Sequence, residues 1–191
     1  MSASNGSILL NHKHYGERGQ DMLERMIPIS MELVTGFTAV FSRYEYALKN
    51  SGFAKGSKSK AEPDWDAFAL SIADKFDHLT NPRFREAVTY LVTSPPRKQV
   101  LVDHRVRWKE SPPDVGLRAS AQALLMVRRV RNNLFHGAKI WAPDGDWSRE
   151  RNEKLVKDSL VVLVACLPLH PHVGGTFGYF DFQEYVDRLA A

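Results

Sequence analysis

Residues 127–137 read VRRVRNNLFHG, and the way this stretch folds constrains everything around it. Leu124, Val127, Leu134 and Phe135 recur at helical intervals, and Gly137 stands where a left-handed residue would end a helix. The spacing predicts a motif helix over residues 116–137, about 30 Å long. Arg131 falls on its apolar stripe. A guanidinium does not shed its charge, so in that position it requires an anion, a partner carboxylate or an opening to water. Asn132 and His136 are four residues apart and meet on a helix surface. Arg131 and His136 are five apart, separated by about 140° around the axis and about 7.5 Å along it. The negative end of the helix macrodipole favours the charged form of a histidine in the last turn, which suits proton exchange near neutral pH.

The run Arg131-Asn132-Asn133-Leu134-Phe135-His136 resembles the R-x4-6-H signature of the HEPN superfamily, helical domains that include many metal-independent ribonucleases of toxin–antitoxin, CRISPR and other defence systems. The resemblance implies a catalytic set of Arg131, Asn132 and His136, usually assembled across a dimer. It extends loosely over residues 22–167 and takes in the segment RYEYALK at 43–49, which offers Arg43 and Glu45 as supporting residues. In some members a tyrosine two residues beyond the histidine is modified by a partner nucleotidyltransferase; Ala138 stands there in this chain, so that mode of control is not supported. The same residues admit a structural reading, with His136 as a favourable cap charge and Arg131 held by a buried glutamate such as Glu45.

The composition sets the class. With 191 residues the chain fits one domain, and 43% hydrophobic with 25% charged residues is ordinary for a soluble globular protein. One cysteine forms no intramolecular disulfide and suits a reducing cytoplasm. No signal peptide is expected, and the longest apolar run, 160–169, is much shorter than a membrane span. Residues 97–139 carry ten Lys/Arg against three Asp/Glu, so this part is +7 and the rest of the +4 chain is −3. Such a surplus points to an anionic partner, RNA or a nucleotide, with Arg128, Arg129 and Lys139 as candidate phosphate contacts. A solvated helix face would also account for it.

Along the chain, residues 1–19 lack periodicity and read as a flexible arm; residues 20–191 read as a single HEPN-like domain. A long helix is expected over 21–49, started or kinked at Pro28, and a mobile linker over 50–63. A helix then starts at Pro63-Asp64, with Trp65, Phe68, Ala69, Ile72 and Phe76 inward, and another at Asn81-Pro82. The basic stretch 97–108 shows no firm period. After the motif, Trp141 and Trp147 either stack a base or fold back onto the core, and a helix resumes at Ser148. His12, His14, Cys166, His170 and His172 have ligand chemistry but no second cluster, so neither metal nor cofactor is expected. A Gly174-Gly175 turn introduces an aromatic tail that ends in a short helix.

With strand signals scarce, the expected fold is all-α, an up-and-down HEPN-like bundle of four to five main helices. The expected function is a cytoplasmic, metal-independent endoribonuclease, a homodimer acting as a toxin or defence component with an antitoxin or other defence-system protein as partner. Two alternatives stay open: a non-catalytic HEPN-like dimer that binds RNA, nucleotide or protein, and the neutralised half of a toxin–antitoxin pair.

Overall fold

In the computed structural model the described residues are 29–135 and 148–178, together with Glu184, Tyr185 and Arg188. The expected N-terminal arm, Pro28, the stretch from His136 to Trp147 and the tail aromatics Tyr179, Phe180 and Phe182 lie outside them.

Helix α1 (Met31–Asn50) begins where Ser30 caps the Leu33 amide and buries Leu33, Phe37, Val40, Phe41, Tyr44 and Leu48 along one face. After a break come α2 (Trp65–Ser71), capped by Asp64, and α3 (Ala73–Asp77). The single helix expected here is thus divided at Ile72, although Trp65, Phe68, Ala69, Ile72 and Phe76 are all buried as the pattern required. Helix α4 (Pro82–Thr93) follows the Asn81 cap, with Pro82 in the first turn where its missing N–H costs nothing. The motif helix is α5 (Ala119–Phe135), and α6 (Arg149–Cys166) starts at Ser148. A 3₁₀ turn (Leu167–Leu169) leads into α7 (Pro171–Phe177).

Helix α6 lies at the centre, packed against α4, α5 and α1, and buries ten of its residues. One of them is Asp158, fully inaccessible, whose carboxylate meets Arg83 Nη1 at 2.7 Å and Lys154 Nζ at 3.3 Å. Tyr44 and Phe41 both stack on Trp65, with centroids 5.3 Å apart, which locks α1 to α2 beneath the motif helix. Burial, and to a lesser degree Cys166, pushes the Tyr44 phenol well above its ordinary range.

The all-α expectation fails at two hairpins. The stretch expected to be a linker forms β1 (Ala54–Ser57) and β2 (Lys60–Pro63), antiparallel in the register Ala54↔Pro63 to Ser57↔Lys60. Its side chains are almost all exposed, so it carries no alternating pattern for a sequence reading to find. Its order comes from the backbone ladder and from Phe53, whose ring meets Phe68 at 5.4 Å and His170 at 5.0 Å. Gly56 makes the turn possible: its φ is +133°, and a Cβ there would lie 2.0 Å from the Lys60 carbonyl oxygen.

The basic stretch forms a second antiparallel pair, β3 (Lys98–Val102) and β4 (Arg105–Lys109). Asp103 and His104 join them with φ of +48° and +59°, the backbone of a two-residue type I′ turn. Asp-His lacks the glycine that usually announces such a turn, so the hairpin is silent in the sequence. The expected Gly174-Gly175 turn is also corrected. Both glycines lie inside α7, with Pro171 in its first turn and His170 Nδ1 accepting the Val173 amide. A side chain at Gly174 would meet the Leu167 carbonyl oxygen at 2.9 Å. The molecule is therefore mixed, with seven α-helices and two small two-stranded sheets among the described residues.

Candidate functional site

The buried stripe of α5 runs Ser120, Ala123, Leu124, Val127 and Val130, with Met126 beside it. It is fixed by Ser120 Oγ donating to the Ala69 carbonyl at 2.8 Å, and by Arg118 on Asp74 at 2.6 Å and Asp77 at 3.3 Å. Phe135, expected on this stripe, is 47% exposed and its place is taken by Asn133, 7% exposed. Three consecutive residues of the motif thereby separate onto different sides of the helix.

Asn133 turns inward and its Nδ2 donates to the Arg97 carbonyl at 2.9 Å. It is one of three side chains that take up a row of carbonyls leading into β3. Arg151 Nη2 donates to Ser94 at 3.3 Å and to Pro95 at 3.1 Å, and Arg129 Nη1 donates to Pro96 at 3.2 Å. Two prolines leave this segment without amide donors for a ladder, so its carbonyls depend on side chains. Arg129 Nη1 also donates to the Ser111 carbonyl beyond β4, joining both legs of the second hairpin to α5. Burial pulls the Arg129 guanidinium below its usual value without discharging it.

Arg131 and Asn132 face the other way, into a cleft of about 380 Å³. Its walls come from α1 (Phe41, Glu45, Lys49), from the first hairpin and its approach (Lys55, Ala61, Glu62, Pro63), from Trp65, and from Arg128, Arg131 and Asn132 on α5. The Arg131 guanidinium lies 4.7 Å from the Phe135 ring centroid and 5.7 Å from that of Phe41, within cation–π range. Among the described residues its Nε is buried without a hydrogen-bond partner, and Nη1 donates to the neighbouring Asn132 Oδ1 at 3.3 Å. That contact engages the Asn132 carbonyl oxygen, while its amide nitrogen has no acceptor among the described residues.

Glu45 lines the cleft but forms no ion pair with Arg131. Among the described residues no carboxylate lies within salt-bridge distance of Arg131, so its charge stands unneutralised at the cleft wall. Arg128, by contrast, pairs with Asp66 at 3.0 Å. With the Asp66 side chain 75% exposed, such a pair contributes only about 0–1 kcal/mol and yields readily to a stronger anion. Glu62 is occupied by Lys60 at 2.5 Å, whose hydrogen bond and charge hold its carboxyl below the usual range.

The other sequence candidates are placed elsewhere or not at all. Arg43 does not line the cleft; its Nε and Nη2 donate, each at 3.1 Å, to the Phe177 and Thr176 carbonyls at the C-terminus of α7. Arg129 serves the hairpin root. His136 and Lys139 lie outside the described residues, as do Trp141 and Trp147. Cys166 is buried, and His170 and His172, with rings 6.2 Å apart, belong to the start of α7. Lys49, Lys55 and Glu62 escaped the sequence reading because the hairpin that brings two of them to the motif looked like a linker. Comparison with protein-family models, with curated proteins and with solved structures finds no match for this chain.

Proposed function

We propose that the chain is an RNA-cleaving protein of the HEPN type, acting without a metal ion through Arg131, Asn132 and His136. The observation that carries this reading is the unneutralised Arg131 guanidinium in the cleft wall beside the free amide of Asn132. A permanent cation left without a carboxylate partner is suited to a phosphate, and the adjacent amide adds a second donor to it. In the reaction, His136 exchanges a proton with the attacking ribose 2′-hydroxyl or with the leaving 5′-oxygen. Arg131 stabilises charge on the non-bridging oxygens of the phosphorus centre, and Asn132 positions the phosphate or the imidazole. The 5′-oxygen leaves and a 2′,3′-cyclic phosphate remains. This function belongs to a cytoplasmic toxin or defence component, and among the described residues no single helix is long and apolar enough to cross a membrane.

Because a spacing of five residues corresponds to about 140° on a regular helix, a two-fold axis beside α5 is the simplest way to bring an arginine of one chain to the histidine of another. We therefore include a homodimer with a shared site in the proposal. The mixed lining of the cleft, with Glu45 and Glu62 beside Lys49 and Lys55, favours one further reading, nucleotide binding without cleavage, since carboxylates there accept from base N–H groups.

The test is cleavage of a short single-stranded RNA in the presence of EDTA, with the product ends analysed. Wild type is expected to cut and leave a cyclic phosphate, and Arg131→Ala and His136→Ala to be inactive yet folded. Mixing these two inactive chains under exchanging conditions should restore part of the activity if the site is shared. Cutting that needs a divalent ion and survives both substitutions would overturn the mechanism; RNA or nucleotide binding with no cutting would favour the non-catalytic reading.

A further inference from the structure

The basic surplus of residues 97–135 separates into two kinds of cation. Four are engaged: Arg97 with Glu110 at 2.6 Å, Arg118 with Asp74 and Asp77, Arg128 with Asp66, and Arg129 with backbone carbonyls. Five have no acidic or backbone-carbonyl partner among the described residues. One is Arg131; the others, Lys98, Arg105, Arg107 and Lys109, are all on the β3–β4 ribbon.

The register places those four on a single face. Residues directly opposite in an antiparallel pair share a side, and the side alternates along each strand. Lys98↔Lys109, Val100↔Arg107 and Val102↔Arg105 therefore form one face, and Gln99↔Trp108 with Leu101↔Val106 the other. The first face holds four cations and two valines. Lys98 and Lys109 stand directly across from each other, an arrangement that is destabilising unless an anion lies over it. Arg105, Arg107 and Lys109 follow at about 7 Å intervals along β4. The ribbon is exposed almost throughout, so burial in the core does not explain this face. Its root is held by Arg129 and Asn133, on the flank of α5 opposite the one that carries Arg131. The two groups of cations thus belong to opposite flanks of α5.

We propose that the cationic face of the β3–β4 ribbon is an RNA-anchoring surface, separate from the Arg131 cleft, that grips the phosphate backbone through Lys98, Arg105, Arg107 and Lys109. This rests on the RNA substrate of the function proposed above but not on its cleavage step. Charge complementarity selects the occupant: regularly spaced cations with few polar acceptors match a line of phosphates and carry no means of reading bases. The ribbon holds RNA while the cleft addresses one phosphate of it.

The experiment measures binding of a fluorescein-labelled single-stranded RNA to the full chain by anisotropy across a salt series, in a His136→Ala background that keeps the RNA intact. Replacing Arg105, Arg107 and Lys109 together by Gln should weaken binding and lower the slope of log Kd against log salt by about 2, since each phosphate contact on a single strand contributes about 0.7. Leu101→Thr with Val106→Thr, on the opposite face, should leave the slope unchanged. An unaltered Kd and slope in the triple variant would overturn the proposal. So would an equal loss in the Thr pair, which would trace the effect to the ribbon's fold, and so would binding of polyglutamate in preference to RNA. Ribbon-dependent binding by a wild type that does not cut RNA would sustain this inference while refuting the catalytic one. Cutting that is indifferent to the triple substitution in binding and KM would do the reverse.

Discussion

Arg129→Met tests whether one side chain holds the ribbon in place. The guanidinium donates to Pro96 ahead of β3 and to Ser111 behind β4, so it ties both legs of the hairpin to α5, whereas Asn133 and Arg151 reach only the leading leg. A hydrogen bond from a charged donor contributes about 1.5–3 kcal/mol. Arg129 is half-buried and the freed carbonyls can take up water, so the loss should fall toward about 1–1.5 kcal/mol per bond, or about 2–3 kcal/mol in all. Methionine keeps an apolar stem of similar length, which confines the change to the polar head. An isolated two-stranded hairpin is marginal in water, so the loss should appear as local opening rather than global unfolding. Amide exchange over residues 98–109 should quicken roughly 30- to 140-fold, the equivalent of that free energy. Exchange at the buried centre of α6, around Leu160 and Leu163, should be unchanged. Ribbon exchange within a factor of three of wild type, or an equal rise in α6, would show that the hairpin is held by something other than this clamp.

Two further outcomes concern the scaffold. Arg83→Ala should cost about 2–3 kcal/mol, below the 3–5 kcal/mol of a fully orphaned buried charge because Lys154 remains beside Asp158, and should lower Tm by roughly 4–12 °C; a loss under 1 kcal/mol in urea titration would contradict the burial of that carboxylate. Burial, His172 and Lys75 all depress the pKa of His170, so the unfolded chain takes up its proton first and stability should fall as pH drops below about 6.5 toward the folded value. His170→Asn keeps a cap for the Val173 amide and should remove that part of the acid sensitivity, which urea titrations at pH 7.0 and 5.5 would measure; an unchanged pH dependence would assign it elsewhere.

The helices were legible in the sequence wherever a cap met a periodic stripe. Ser148, Asn81-Pro82 and Asp64 each start a helix where they were expected to, and Phe37, Phe68, Phe84 and Leu163 are buried as their spacing required. The hairpins were not legible, for two different reasons. The first is exposed on nearly every side chain, so no face is marked by hydrophobicity and only Gly56 hints at a turn. In the second, Val100 and Val102 share a face with arginines and lysines while Leu101 and Val106 lie exposed on the other, so both faces mix polar and apolar residues. Alternation reports burial, and a ribbon that buries neither face has none to report. The break at Ile72 was hidden for the opposite reason: Ile72 and Phe76 stay in the core, and a stripe of buried residues continues across a helix that does not.

The candidate site was legible in its residues but not in its surroundings, and the difference changes what the motif is for. On a helix read alone, Arg131, Asn132 and Asn133 are three polar neighbours with nothing to tell a chemical role from a structural one. Packing separates them. Asn133 turns inward and donates to the Arg97 carbonyl just after the two prolines, while Arg131 and Asn132 line a cleft completed by the first hairpin. Asn133→Ala should therefore disturb the ribbon and spare the charge at the cleft, and Arg131→Ala should do the opposite. The motif helix thus carries two loads on opposite flanks, a structural one that sets the β3–β4 ribbon and another that leaves a cation without a carboxylate at the cleft. A basic patch that was only a stabilising surface would be expected to neutralise its cations evenly. Here the described residues pair Arg97, Arg118 and Arg128 with carboxylates and leave Arg131 and the four ribbon cations without one, and it is on this division that the proposed anionic partner rests.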